Sequence, residues 1–80
     1  MEMLRITGFV SVVQEQRFLL ATRAGREHLC VLVHDASLAD GSPAEAGTLE
    51  LLAASGQLVT VECAPSAHLL AYAARRLYPA

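Results

Sequence analysis

The sequence predicts an all-β fold class: a five-stranded barrel with one helix between the third and fourth strands. Two observations predict it. Apolar and polar residues alternate through most of the first 34 positions and again after position 56, the two-residue period of half-buried strands. Between these stretches stands a helix-start signal followed by a helix-stop glycine. Eighty residues, 54% of them apolar, suffice for one core, so residues 1–80 are read as a single domain.

In strand one, Leu4, Ile6, Gly8, Val10 and Val12 alternate with Arg5, Thr7, Phe9, Ser11 and Val13. Gly8 in its middle predicts a bend or bulge where the strand curves across both sides of a small barrel. Gln14-Glu15-Gln16 is a polar hairpin turn. Residues 17–23 (RFLLATR) form strand two, with Phe18, Leu20 and Thr22 on the core face and Arg17, Leu19, Ala21 and Arg23 on the other. Ala24-Gly25-Arg26 is the next turn. Residues 28–34 (HLCVLVH) form strand three. Its uniformly apolar face of Leu29, Val31 and Val33 is expected to point inward, leaving His28, Cys30, Leu32 and His34 outside.

Residues 35–43 (DASLADGSP) read as a polar loop. Ser42-Pro43-Ala44-Glu45 reads as a helix start, with Ser42 at the N-cap, Pro43 in the first turn and Glu45 completing a capping box. The helix is expected over 44–55, with Leu49, Leu52 and Ala53 on one stripe. Gly47 can delay its start to Thr48, and Gly56 is the C-cap. Residues 57–63 (QLVTVEC) form strand four, with Val59, Val61 and Cys63 on one face, followed by an Ala64-Pro65-Ser66 turn. Residues 67–78 carry helix-favouring residue types but also alternate. They are assigned as strand five because the fourth strand otherwise leaves an open edge. If they were helical, the fold would be an open α+β sheet.

Three local features invite comparison: a glycine inside the first strand (Ile6-Thr7-Gly8-Phe9-Val10), the Gly56-Gln57-Leu58-Val59-Thr60-Val61 entry to the fourth, and a last strand introduced by small residues. With the strand-strand-strand-helix-strand-strand order, the chain resembles compact bacterial OB-fold domains, particularly the anticodon-binding-like group. The resemblance implies a five-stranded Greek-key barrel with its helix between strands three and four. It also implies a ligand face on strands two and three, most often for single-stranded DNA or RNA, or for an oligosaccharide.

The residues themselves support a function less strongly. The net charge is −2; positions 1–34 carry +1, positions 35–62 carry −5, and Arg75 and Arg76 follow. All six basic residues are arginine, a side chain suited to planar contacts and stacking. On the outer face of strands one to three, Phe9, Arg17, Arg23, His28 and His34 are the candidate nucleic-acid-binding residues, combining cations for phosphates with a ring for base stacking. Few aromatics and an acidic balance weigh against that reading. The competing expectation is a protein-interaction or homo-oligomerisation surface, a dry patch of Leu19, Cys30 and Leu32.

No catalytic residues, metal site or cofactor is predicted. His28 and His34 stand about 20 Å apart along one strand and cannot share an ion. His34-Asp35 with Ser37 is not a triad arrangement, and Glu45 and Glu50 read as a solvated helix face. Cys30 and Cys63, without CxxC spacing, are expected to be free buried thiols. The N-terminal residues lack the order of a secretory signal and no apolar run approaches a membrane span, so a cytoplasmic location is expected.

Overall fold

The computed structural model describes residues 3–66 and 71–80. The elements follow the predicted order: β1 (Leu4–Gln14), β2 (Arg17–Ala21), β3 (Glu27–Leu38), α1 (Ala46–Ser55), β4 (Leu58–Ser66) and β5 (Ala71–Pro79). They close into a barrel of strand order β1-β2-β3-β5-β4, with β1 pairing β4 to complete the ring. All pairs are antiparallel except β3 with β5. This is the OB-type topology. The last segment is strand from Ala71, so the open-sheet alternative does not hold; residues 67–70 of the predicted strand lie outside the described residues.

β1 serves both sides of the barrel. Its first half pairs with β4 and its second half with β2, and Phe9 is opposite both Leu58 and Ala21. Gly8 sits at the changeover, where a side chain would meet the Ala21 carbonyl. The bulge itself falls three residues later, at Ser11, between Val10 and Val12. It turns Val12 outward and Val13 toward the core.

The core is filled by Phe18 and Leu20 of β2, Cys30 and Leu32 of β3, Val59, Val61 and Cys63 of β4, and Ala74 and Leu77 of β5. Leu49 of α1, fully buried, plugs one end, with Leu52 and Ala53 beside it on the expected stripe. A second bulge between β4 and β5 falls at Glu62/Cys63, opposite Arg76 and Ala74. It breaks the alternation read for the last strand, so Ala74 and Leu77 both reach the core although three residues apart.

Strand three faces the opposite way from the expectation. Cys30 and Leu32 point inward, Leu29 is exposed, and Val31 and Val33 are half-buried. The cause is register: Phe18 is opposite Cys30 and Leu20 opposite His28, and directly paired residues share a face. Burying the large side chains of β2 therefore commits His28 and Cys30, and with them Leu32, to the inner face of β3.

Four boundaries also shift. β2 ends at Ala21, which leaves Arg23 in the following turn. β3 continues through the predicted loop to Leu38 and folds back as a small hairpin: the Ala44 N–H donates to the Ala36 carbonyl at 2.9 Å and the Leu38 N–H to the Ser42 carbonyl at 2.8 Å. That hairpin occupies Ser42, whose N–H and hydroxyl both donate to Asp40 Oδ1, at 2.9 and 2.6 Å. The helix is capped instead at Glu45, whose N–H donates to Thr48 Oγ1 at 3.4 Å, and it ends on Gly56 in the left-handed region at φ 66°. The Ala64-Pro65-Ser66 turn is part of β4.

Candidate functional site

The outer wall of β1, β2 and β3 forms three parallel rows. Paired residues set them out as Phe9–Ala21–Glu27, Val12–Leu19–Leu29 and Gln14–Arg17–Val31. Adjacent strands stand about 4.8 Å apart, and neighbouring rows are about 6.5 Å apart along the strands. The middle row is aliphatic across all three strands: Val12 is 54% exposed, Leu29 39%, and Leu19 lies half-buried between them. Phe9, 37% exposed, adds an aromatic ring to one flanking row. A shallow concavity of about 240 Å³ opens between Val12, Gln14, Arg17, Leu19 and Leu29, with Phe18 below.

The five residues proposed from sequence do not form one constellation. Phe9 and Arg17 share this wall but lie in its two outer rows, about 13 Å apart along the strand direction. Arg23 lies in the β2–β3 turn. His28 is opposite Leu20 and half-buried, its ring meeting Tyr72 edge-on at a centroid distance of 5.5 Å. His34 is exposed on the irregular part of β3, between Leu32 and Ser37. The dry patch expected from Leu19, Cys30 and Leu32 keeps only Leu19, because the other two are in the core. Its neighbours are Val12 and Leu29, which simple alternation places on the same faces as Val10, in the core, and Val33, packed against it. The adjacent pair Val12-Val13 was the available signal, since two consecutive apolar residues in an alternating strand suggest a bulge.

The opposite side of the barrel is polar and internally bonded. Arg5 Nε meets Glu62 Oε2 at 3.3 Å, and the Tyr78 hydroxyl donates to the same oxygen at 3.0 Å. The Tyr78 hydroxyl, and then Arg5, hold the Glu62 carboxyl below its ordinary range. Thr7 and Thr60 share a hydroxyl hydrogen bond of 2.8 Å, and Arg76 lies 5.6 Å from the Tyr78 ring centre. These groups already serve one another.

A larger cleft, about 330 Å³, runs between α1 and the ends of β3 and β5, lined mainly by Leu38, Leu52, Val59, Leu77, Tyr78 and Pro79. Its carboxylate, Asp40, is engaged by Ser42, whose hydroxyl and N–H lower its pKa. No nucleophile with an adjacent base lines the cleft. Among the described residues no group of three His, Cys, Asp or Glu side chains could hold a metal ion, and no helix is long and apolar enough to cross a membrane.

Cys30 and Cys63 are free and buried inside the barrel. Burial, with a smaller contribution from Cys63, pushes the Cys30 thiol up to about 12, and burial also raises Cys63. Both thiols are expected to resist alkylation in the folded protein and to react on unfolding. An unfolded chain gives up the Cys30 proton near the ordinary value of 9.0, whereas the folded chain holds it to about 12. The contribution of Cys30 to stability is therefore constant below pH about 9 and falls as pH rises from there toward about 12. Denaturant midpoints measured from neutral to alkaline pH should show this fall, reduced in Cys30→Ala.

No family model, curated protein or solved structure matches this chain.

Proposed function

We propose that this chain is a non-enzymatic binding module that works through the outer wall of β1, β2 and β3, and that its partner there is a protein. The observation that carries the reading is the aliphatic row Val12–Leu19–Leu29. Three adjacent apolar side chains crossing three strands on the outside of a small barrel are costly in water. Burying such a row yields about 25 cal/mol for each Å² removed from solvent. Nucleic acid is the less favoured ligand, because the wall offers one ring and one arginine in separate rows. A single-strand interface needs a track of cations with several stacking platforms.

The test is selection of short peptides from a random displayed library against the purified chain. Selected peptides are expected to lose binding at least tenfold against Leu29→Glu and to keep it against Leu51→Glu, a control at a leucine of α1 that is 73% exposed. Peptides indifferent to Leu29→Glu would remove the reading. In parallel, labelled oligothymidine and oligouridine are titrated at low salt, where phosphate contacts count most. No binding is expected. Saturable binding there that weakens in Arg17→Ala would replace a protein partner with a nucleic acid.

A further inference from the structure

We infer that the partner of this wall is a second copy of the chain, packed wall to wall about a two-fold axis that runs along the row Val12–Leu19–Leu29. This rests on the reading of the wall as a protein-binding surface and names its occupant.

Two sheets packed face to face can be related by a two-fold axis along the strands or across them. An axis along β2 places Arg17 on Arg17 of the other copy and leaves like charges opposed. An axis across the strands keeps the aliphatic row on itself and exchanges the two flanking rows. Arg17 of one copy then lies over Ala21 of the other, the smallest side chain in the grid, with Phe9 and Glu27 on either side of it. The guanidinium has room above the alanine, a ring face on one side and a carboxylate on the other. Symmetry makes each of these contacts twice.

The same rotation brings Phe9 of one copy over Gln14 of the other, at the rim of the 240 Å³ concavity beside Val12 and Leu19. It also sets the β1–β2 turn, which carries Glu15, toward the β2–β3 turn of the other copy, which carries Arg23 and Arg26. The same operation lays Glu27 of one copy over Val31 of the other, so its carboxylate is matched by the neighbouring Arg17 and not by the residue opposite it. The grid is small. Three strands about 4.8 Å apart and three rows about 6.5 Å apart cover about 280 Å² per copy in projection, at the weak, transient end of association, so a dissociation constant between about 0.1 and 1 mM is expected.

Sedimentation equilibrium up to about 1 mM tests this, a range that covers such a constant. The wild-type chain is expected to form a dimer, weakened at least tenfold by Arg17→Glu and by Glu27→Arg. The deciding arm is a mixture. Each single variant opposes like charges in its own dimer, but a mixed dimer restores both 17–27 contacts, so the two variants combined should associate with near wild-type affinity. The double variant R17E/E27R should dimerise alone for the same reason. A wild-type chain that stays monomeric at the highest concentration, or a mixture that fails to associate, overturns the proposal. If library-selected peptides still lose binding to Leu29→Glu in that case, the wall remains a protein-binding surface with another occupant. If they do not, both readings fall.

Discussion

Replacing Gly8 by alanine is expected to destabilise the barrel by about 3 kcal/mol or more, at or above the upper end of the usual overpacking cost. A Cβ at this position would press on the Ala21 carbonyl oxygen, lie 2.9 Å from the Ala21 carbonyl carbon and 3.3 Å from Leu20 Cγ. The obstacle is main chain, which cannot rotate away. Nor can β1 retreat, because Gly8 is opposite Val59 in β4 and the next residue is tied to β2 and β4 together. A domain of this size is stable by only about 4–12 kcal/mol, and each kcal/mol moves the melting temperature by about 4–8 °C. A fall of about 15 °C in thermal unfolding is therefore expected. Gly47→Ala is the matching control: a Cβ there meets nothing within 4 Å, and alanine in a helix is favoured over glycine by about 1 kcal/mol. Equal behaviour of the two variants would contradict the role given to Gly8.

Phe18→Ala is expected to cost about 3–5 kcal/mol, the range for removing a fully buried ring. Phe18 is the largest fully buried side chain. It is opposite Val13 on one side and Cys30 on the other, so its loss opens a void that three strands share. It also underlies the outer wall, below the concavity between Val12 and Leu29. The variant should therefore lose wall binding along with stability, while Phe18→Leu, which leaves a smaller void, should cost less than Phe18→Ala and keep binding. Denaturant unfolding of both variants measures the first effect, and binding of a selected peptide to each measures the second.

Much of the barrel was legible because it depends on local chemistry. Alternation located four strands, Gly56 ended the helix, and the need to cover an edge correctly made the alanine- and arginine-rich last segment a strand. The rest depends on pairing, which alternation cannot see. Which face of β3 is inside was decided by Phe18 and Leu20 across the ladder, and β3's own apolar pattern pointed the other way. The capping signal at Ser42 was real as chemistry but was taken up by Asp40 and the 36–44 hairpin. The candidate site suffered most. Phe9 and Arg17 were correctly placed outside, yet the aliphatic row between them appears only once the Ser11 bulge and the β2–β3 register are known.

The most direct test of the central claim, that the wall of β1, β2 and β3 is a protein-binding surface, is a map of amide chemical shifts. Wild-type chain labelled with nitrogen-15 is titrated with a library-selected peptide and, separately, with oligothymidine at low salt. Perturbations confined to Phe9–Gln14, Arg17–Ala21 and Glu27–Val31 with the peptide, and none with the oligonucleotide, are the expected result. Peptide perturbations centred on the α1–β5 cleft or on the Arg5–Glu62–Tyr78 side, or a wall that responds to the oligonucleotide, would contradict it.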